Sequence, residues 1–96
     1  MKTGIEIIAE ERVRQIEVEG WSIELDIEEH DCGELADAAA CYALRGYWHK
    51  KLVNTIALIW PWDDAWWKPT PNDRIKELAK AGALIAAEID RIQRNK

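Results

Sequence analysis

The chain has no phenylalanine, one serine and two cysteines in 96 residues. Each shortage excludes something. Without phenylalanine, bulky rings for a core must come from its six tryptophans and two tyrosines. Ser22 is the only serine and neither histidine sits in a recognisable arrangement with a nucleophile, so covalent catalysis has no candidate and no catalytic residue is assigned. There is no glycine-rich phosphate loop. His30, Cys32, Cys41 and His49 lack the paired spacing of a zinc site. With no secretory signal, the two cysteines are expected to be reduced thiols. MKTGIEIIAEER carries no targeting pattern and no apolar run approaches the ~20 residues that span a bilayer, which gives a cytoplasmic reading with no membrane partner. Basic residues are outnumbered 13 to 18, for a net charge of −5. A sequence-independent grip on DNA or RNA is therefore not expected, while a small anion held by a few placed cations is compatible with this balance.

What is present reads as helix. Residues 1–96 are taken as one domain, and a chain of this length buries only about two-thirds of its unfolded surface, so oligomerisation would be an ordinary remedy. Thr3-Gly4-Ile5-Glu6 matches a capping box, and Ile5, Ile8, Ala9 and Ile16 follow on one side, which predicts a first helix over about 4–18. Glu6, Glu10, Arg14 and Glu17 line its other side, with Glu10 and Arg14 spaced as an ion pair. Arg12 falls inside the apolar arc. It is expected either to pair with Glu34 or Asp37 of the second helix or to face a ligand. Asp31-Cys32-Gly33-Glu34 is another capping pattern, opening a helix that runs to Gly46 and is rich in alanine, with Glu34, Asp37, Cys41 and Arg45 as its polar strip. Residues 47–59 fit either a short helix or a strand, and the helix is preferred. Thr70 as N-cap with Pro71 at the first helical position predicts a last helix to about Arg94. Its stripe of Ile75, Leu78, Ala79, Gly82, Ile85, Ala86, Ile89 and Ile92 is expected in the core, with Lys76, Glu77, Lys80, Glu88 and Arg91 in water. Gly82 in mid-stripe suggests a close helix crossing. The fold class is all-α, a three- to four-helix bundle with a tryptophan-rich irregular loop.

That loop, WPWDDAWWKP at 60–69, is stiffened by proline at both ends. Adjacent Trp66 and Trp67 must point different ways, so two of the four indoles are expected to plug the core and at least one to be partly exposed for a ligand or a partner. Glu34 and Asp37, three apart on one helix, are the candidates for a Mg²⁺ site, Mg²⁺ being the one cofactor the spacing suits, but no metal is assigned. Apolar residues beyond one core's needs, Ile7, Val18 and Leu84, predict a homo-oligomer.

EVEGWS (17–22), GELADAAACYA (33–43), WPWDDAWWKP and KAGALIAAEIDRI (80–92) together resemble a family of small proteins encoded by phages and prophages. ERVRQ, GELADAA and the last helix are more weakly similar to the all-α nucleoside triphosphate pyrophosphohydrolases of MazG type. Their ExxE pair could here only be Glu34 with Asp37, and their ExxD pair is missing from the last helix's apolar face. Taken together, these resemblances imply a nucleotide-sized pocket and, in an infected bacterial cytoplasm, a protein that sequesters a nucleotide signal of antiphage defence without catalysis. The residues expected to do so are Trp60, Trp66 and Trp67 for base stacking, with Arg12, Arg45, Lys68 and Arg74 facing phosphates. Mg²⁺-dependent triphosphate cleavage and inhibition of a host protein through the tryptophans are the alternatives.

Overall fold

A computed structural model describes residues 1–18, 33–44 and 50–94, with the backbone alone at 50–54. The chain is all-α, as expected: α1 is Gly4–Glu17, α2 Glu34–Ala43, α3 Lys50–Ile59 and α4 Arg74–Arg94, with a 3₁₀ turn at Asp64–Trp66. No strand occurs among the described residues. Nor is any described helix long and apolar enough to cross a membrane.

α1 starts on the predicted capping box. The Glu6 amide donates to Thr3 Oγ1 at 3.2 Å and the Thr3 amide to Glu6 Oε1 at 3.0 Å. These bonds satisfy donors at the helix start and hold the Glu6 carboxyl below its ordinary range, the Thr3 amide contributing most. Arg14 pairs with Glu11, at 2.6 Å, rather than with Glu10, because Glu11 is on the buried side of α1; Glu10 instead meets Lys2 at 2.9 Å.

α2 departs from expectation at both ends. Its N-cap is Gly33, left-handed at φ 85°, with no side-chain cap, a conformation that glycine adopts without steric cost. Asp31 lies outside the described residues. The helix stops at Ala43, before Gly46, and its last carbonyls are taken by an arginine: the Arg74 guanidinium donates to the carbonyls of Tyr42, Ala43 and Leu44 at 3.1, 2.6 and 3.4 Å. A cation there meets the negative end of the helix dipole. α4 begins four residues later than Thr70. Thr70-Pro71-Asn72-Asp73 is a turn, closed by the Asp73 amide on Thr70 O at 2.8 Å, and the Asp73 carboxylate caps the helix by accepting from the Lys76 amide at 3.1 Å. Pro71 thus presets the turn instead of the helix.

The core lies between α2 and α4, where Leu35, Ala38, Ala39 and Tyr42 meet Ala81, Leu84 and Ala87. Small side chains let these helices close in, and α1 crosses α4 on its other flank. A Cβ added to Gly82 would stand 2.5 Å from Ile8 Cδ1 and 2.7 Å from Cγ1, so the expected close crossing is present. Cys41 is buried against α3, its thiol 3.8 Å from Ile56 O; burial, with the charge of Asp37 adding to it, pushes that thiol up to about 11.

Two further corrections concern which faces are buried. On α4, Glu77, Lys80 and Arg91 are buried, whereas Ile75, Leu78, Ile85, Ile89 and Ile92 are 45 to 65 % exposed. On α1, Glu11, Arg12 and Gln15 are buried while Ile5 and Ile16 are exposed. Burial of the polar face is possible because partners meet it: Glu77 accepts from the Thr70 amide and Lys80 donates to Lys68 O, while Arg91 pairs within α4 with Glu88 at 2.6 Å. Leu84 belongs to the core and not, as expected, to the surplus apolar surface.

Candidate ligand-binding surface

The loop 60–69 is built outward from Tyr42. The Tyr42 ring lies 4.7 Å from Trp67 and 5.6 Å from Trp60, edge-on to the latter. Trp60 in turn meets Trp67 at 4.9 Å and Trp62 at 5.4 Å, both in T-shaped arrangements. These are the favourable offset and edge-to-face geometries of aromatic pairs. Their polar atoms are used as well: Trp60 Nε1 donates to Asp63 O at 3.1 Å, and Tyr42 Oη accepts from the Lys68 amide at 3.2 Å. The Lys80 ammonium sits 5.4 Å above the Tyr42 ring while donating to Lys68 O at 2.7 Å, which fixes the far end of the loop to α4.

Trp66 stands apart. The 3₁₀ turn that carries it is capped by Asp63, whose carboxylate accepts from the Ala65 amide at 2.9 Å, and the Trp66 and Trp67 amides close it onto Asp63 O and Asp64 O, both at 3.0 Å. The turn aims Trp67 inward and Trp66 outward. Trp66 is 57 % exposed, and the Lys68 ammonium lies 5.6 Å from its ring centroid, a cation–π contact on open surface.

Comparison with known protein families, curated proteins and solved structures finds no match. What this surface can do rests on its own geometry.

The predicted ligand-binding residues do not all meet there. Trp66 and Lys68 form the exposed edge, while Trp60 and Trp67 are half-buried behind it. Arg74 is committed to the end of α2 and to Glu77, 3.4 Å away. Arg12 is buried on α1, its Nη2 4.0 Å from Asp90 of α4. No ion pair joins it to Glu34 or Asp37 among the described residues, because its side of α1 faces α4. Arg45 lies outside the described residues. Glu34 is half-buried and Asp37 exposed on the first turn of α2, and among the described residues no group of three or more His, Cys, Asp or Glu could hold a metal.

Tyr42 and Lys80 are the members of this region that sequence reading missed. Tyr42 could have been suspected as the one ring in an alanine-rich helix. Lys80 had no such signal, since its partner is a backbone carbonyl twelve residues away.

Proposed function

We propose that the protein binds a nucleotide-type small molecule, a planar base with an anionic tail, and sequesters it without chemical change. The observation that carries this reading is Trp66, an exposed indole on a capped, proline-flanked turn with a lysine beside it. A base stacked on such a ring gains about 1 to 3 kcal/mol, and the turn is ordered before binding, so little entropy is lost. Lys68 is free to swing from the ring toward a phosphate, exchanging a cation–π contact for a charge-assisted hydrogen bond. The likeness to phage and prophage proteins puts cyclic and ADP-ribose-type signals of antiphage defence first among ligands to test, in the cytoplasm of an infected cell.

The test is mass spectrometry of small molecules released when protein purified from cells is denatured, followed by titration of the recovered compound against indole fluorescence. A stoichiometric nucleotide that quenches wild type and binds at least several-fold more weakly to Trp66→Ala is the expected outcome. If no nucleotide is recovered and none of a cyclic, dinucleotide and triphosphate panel changes the emission, the reading fails. Phosphate release from a nucleoside triphosphate, abolished by Glu34→Gln, would replace it with hydrolysis.

A further inference from the structure

The outer face of α4 has a spacing of its own. Ile75, Leu78, Gly82, Ile85, Ile89 and Ile92 recur at alternating intervals of three and four, which sets them along one side of the helix, a side that α1 reaches at Gly82. Ile8 of α1 occupies the notch at Gly82. The other five side chains are exposed over the whole of the helix.

We infer that this face is a self-association surface, and that its occupant is a second copy of the same chain. Area is the first reason. The five side chains leave on the order of 500 Å² of apolar surface in water, which matches the apolar share of the roughly 800 Å² that each partner contributes to a standard interface. Charge is the second reason. A helix that selects a different partner usually does so through charged positions beside its seam. Of those flanking positions on α4, Ala79 and Ala81 are already buried inside the protomer, and Ala86 and Gln93 carry no charge. The two charged ones are matched within the protomer, Glu88 by Arg91 at 2.6 Å and Arg74 by Glu77 at 3.4 Å. The seam therefore carries no charge code for a foreign helix, and two copies of a chain with net charge −5 can meet there without setting like charges opposite one another. A twofold pair buries the same stripe on both chains.

Sedimentation equilibrium of the full chain at about 100 μM tests this. The expected mass is twice the 11.1 kDa of the chain, falling on dilution. Ile85→Glu/Ile89→Glu is expected at the chain mass, and Leu58→Glu, at a still more exposed apolar position on α3, at the dimer mass. Should the double variant unfold once separated, Ile92→Lys is the milder probe and weakens association roughly tenfold or more, 1.4 kcal/mol or above. A wild-type mass of 11.1 kDa at that concentration overturns the inference and leaves the stripe to another chain. An association constant unchanged in Ile92→Lys overturns it as well, by placing the contact elsewhere.

Discussion

In the loop 60–69, bulky apolar side chains converge: Trp60, Trp62 and Trp67 close on Tyr42 from an irregular backbone, each ring within 6 Å of another. On the outer face of α4, five aliphatic side chains stand in a row and stay in water. The difference comes from the backbone. A loop can change direction at every residue, so adjacent Trp66 and Trp67 go to opposite sides and each ring is placed independently. A helix turns each side chain by a fixed 100°, and choosing one face to bury exposes the other. α4 buries the face whose small residues let α2 approach, and three charged residues go in with the alanines. Close helix packing outweighs side-chain hydropathy there because each buried charge finds a partner.

The largest way to break the contrast is in the ring cluster. Trp67→Ala removes the ring shared by Tyr42 and Trp60 and is expected to cost about 3 kcal/mol, read by urea denaturation. Trp66→Ala, one residue earlier, is expected to cost below about 0.5 kcal/mol. Equal losses would mean that the turn does not separate the two indoles.

Next is the polar face of α4. Glu77 is 1 % exposed and accepts from both the Thr70 amide and Arg74. Glu77→Ala leaves that amide without its partner and Arg74 without its carboxylate, at a cost of about 2 kcal/mol in the same measurement. A neutral result would show that this face is open to water.

Gly82→Ala sharpens the contrast from the other flank. Alanine gains up to about 1 kcal/mol of helix propensity, but its methyl overlaps Ile8, which is branched at Cβ and stiff. The net expected outcome is a loss of about 1 kcal/mol, recovered when Ile8→Val or Ile8→Ala is added. Failure of the second change to rescue would separate the glycine from the crossing.

The last effect is confined to high pH and concerns Cys41. Its thiol is raised from 9.0 to about 11 in the folded chain, so the unfolded chain loses its proton first as pH rises. The contribution is full below pH 9 and is lost on passing through about 11. The Tm of wild type relative to Cys41→Ala should be flat up to pH 9 and fall above it. A flat difference throughout would place the thiol in contact with solvent.

The sequence carried much of the helical frame. Thr3 and Glu6 announce α1 through groups within one turn, and Gly82 signals a crossing because a mid-helix glycine is costly without one. Within 47–59, where a helix is preferred, the described residues 50–59 form α3, and 47–49 lie outside the described residues. What could not be read was which face of each helix turns inward. Periodicity groups Ile75 with Ile85 and Glu77 with Leu84, but the inward choice depends on Lys68 O, the Thr70 amide and the end of α2, all remote in sequence from the residues that use them. For the same reason Arg74 read as a cation for phosphate, when its partners are carbonyls about thirty residues earlier. In the candidate site, the exposure of one indole was legible from the adjacency of Trp66 and Trp67. That it would be Trp66 was decided by Asp63 capping the turn.

The attachment of α1 has a consequence for motion. Its buried residues are Glu11, Arg12 and Gln15, and its apolar contribution is the half-buried pair Ile7 and Ile8, the latter reaching into the notch at Gly82. Detaching it exposes little apolar surface, whereas parting α2 from α4 opens the core. α1 is therefore expected to be the first cooperative unit to open in the native state. In hydrogen–deuterium exchange its mid-helix amides should be replaced well before those of Ala38–Tyr42 and Ala81–Ala87, at a denaturant sensitivity too small for global unfolding. Exchange of all three segments at one common rate would mean that α1 is bound into the core as tightly as α2.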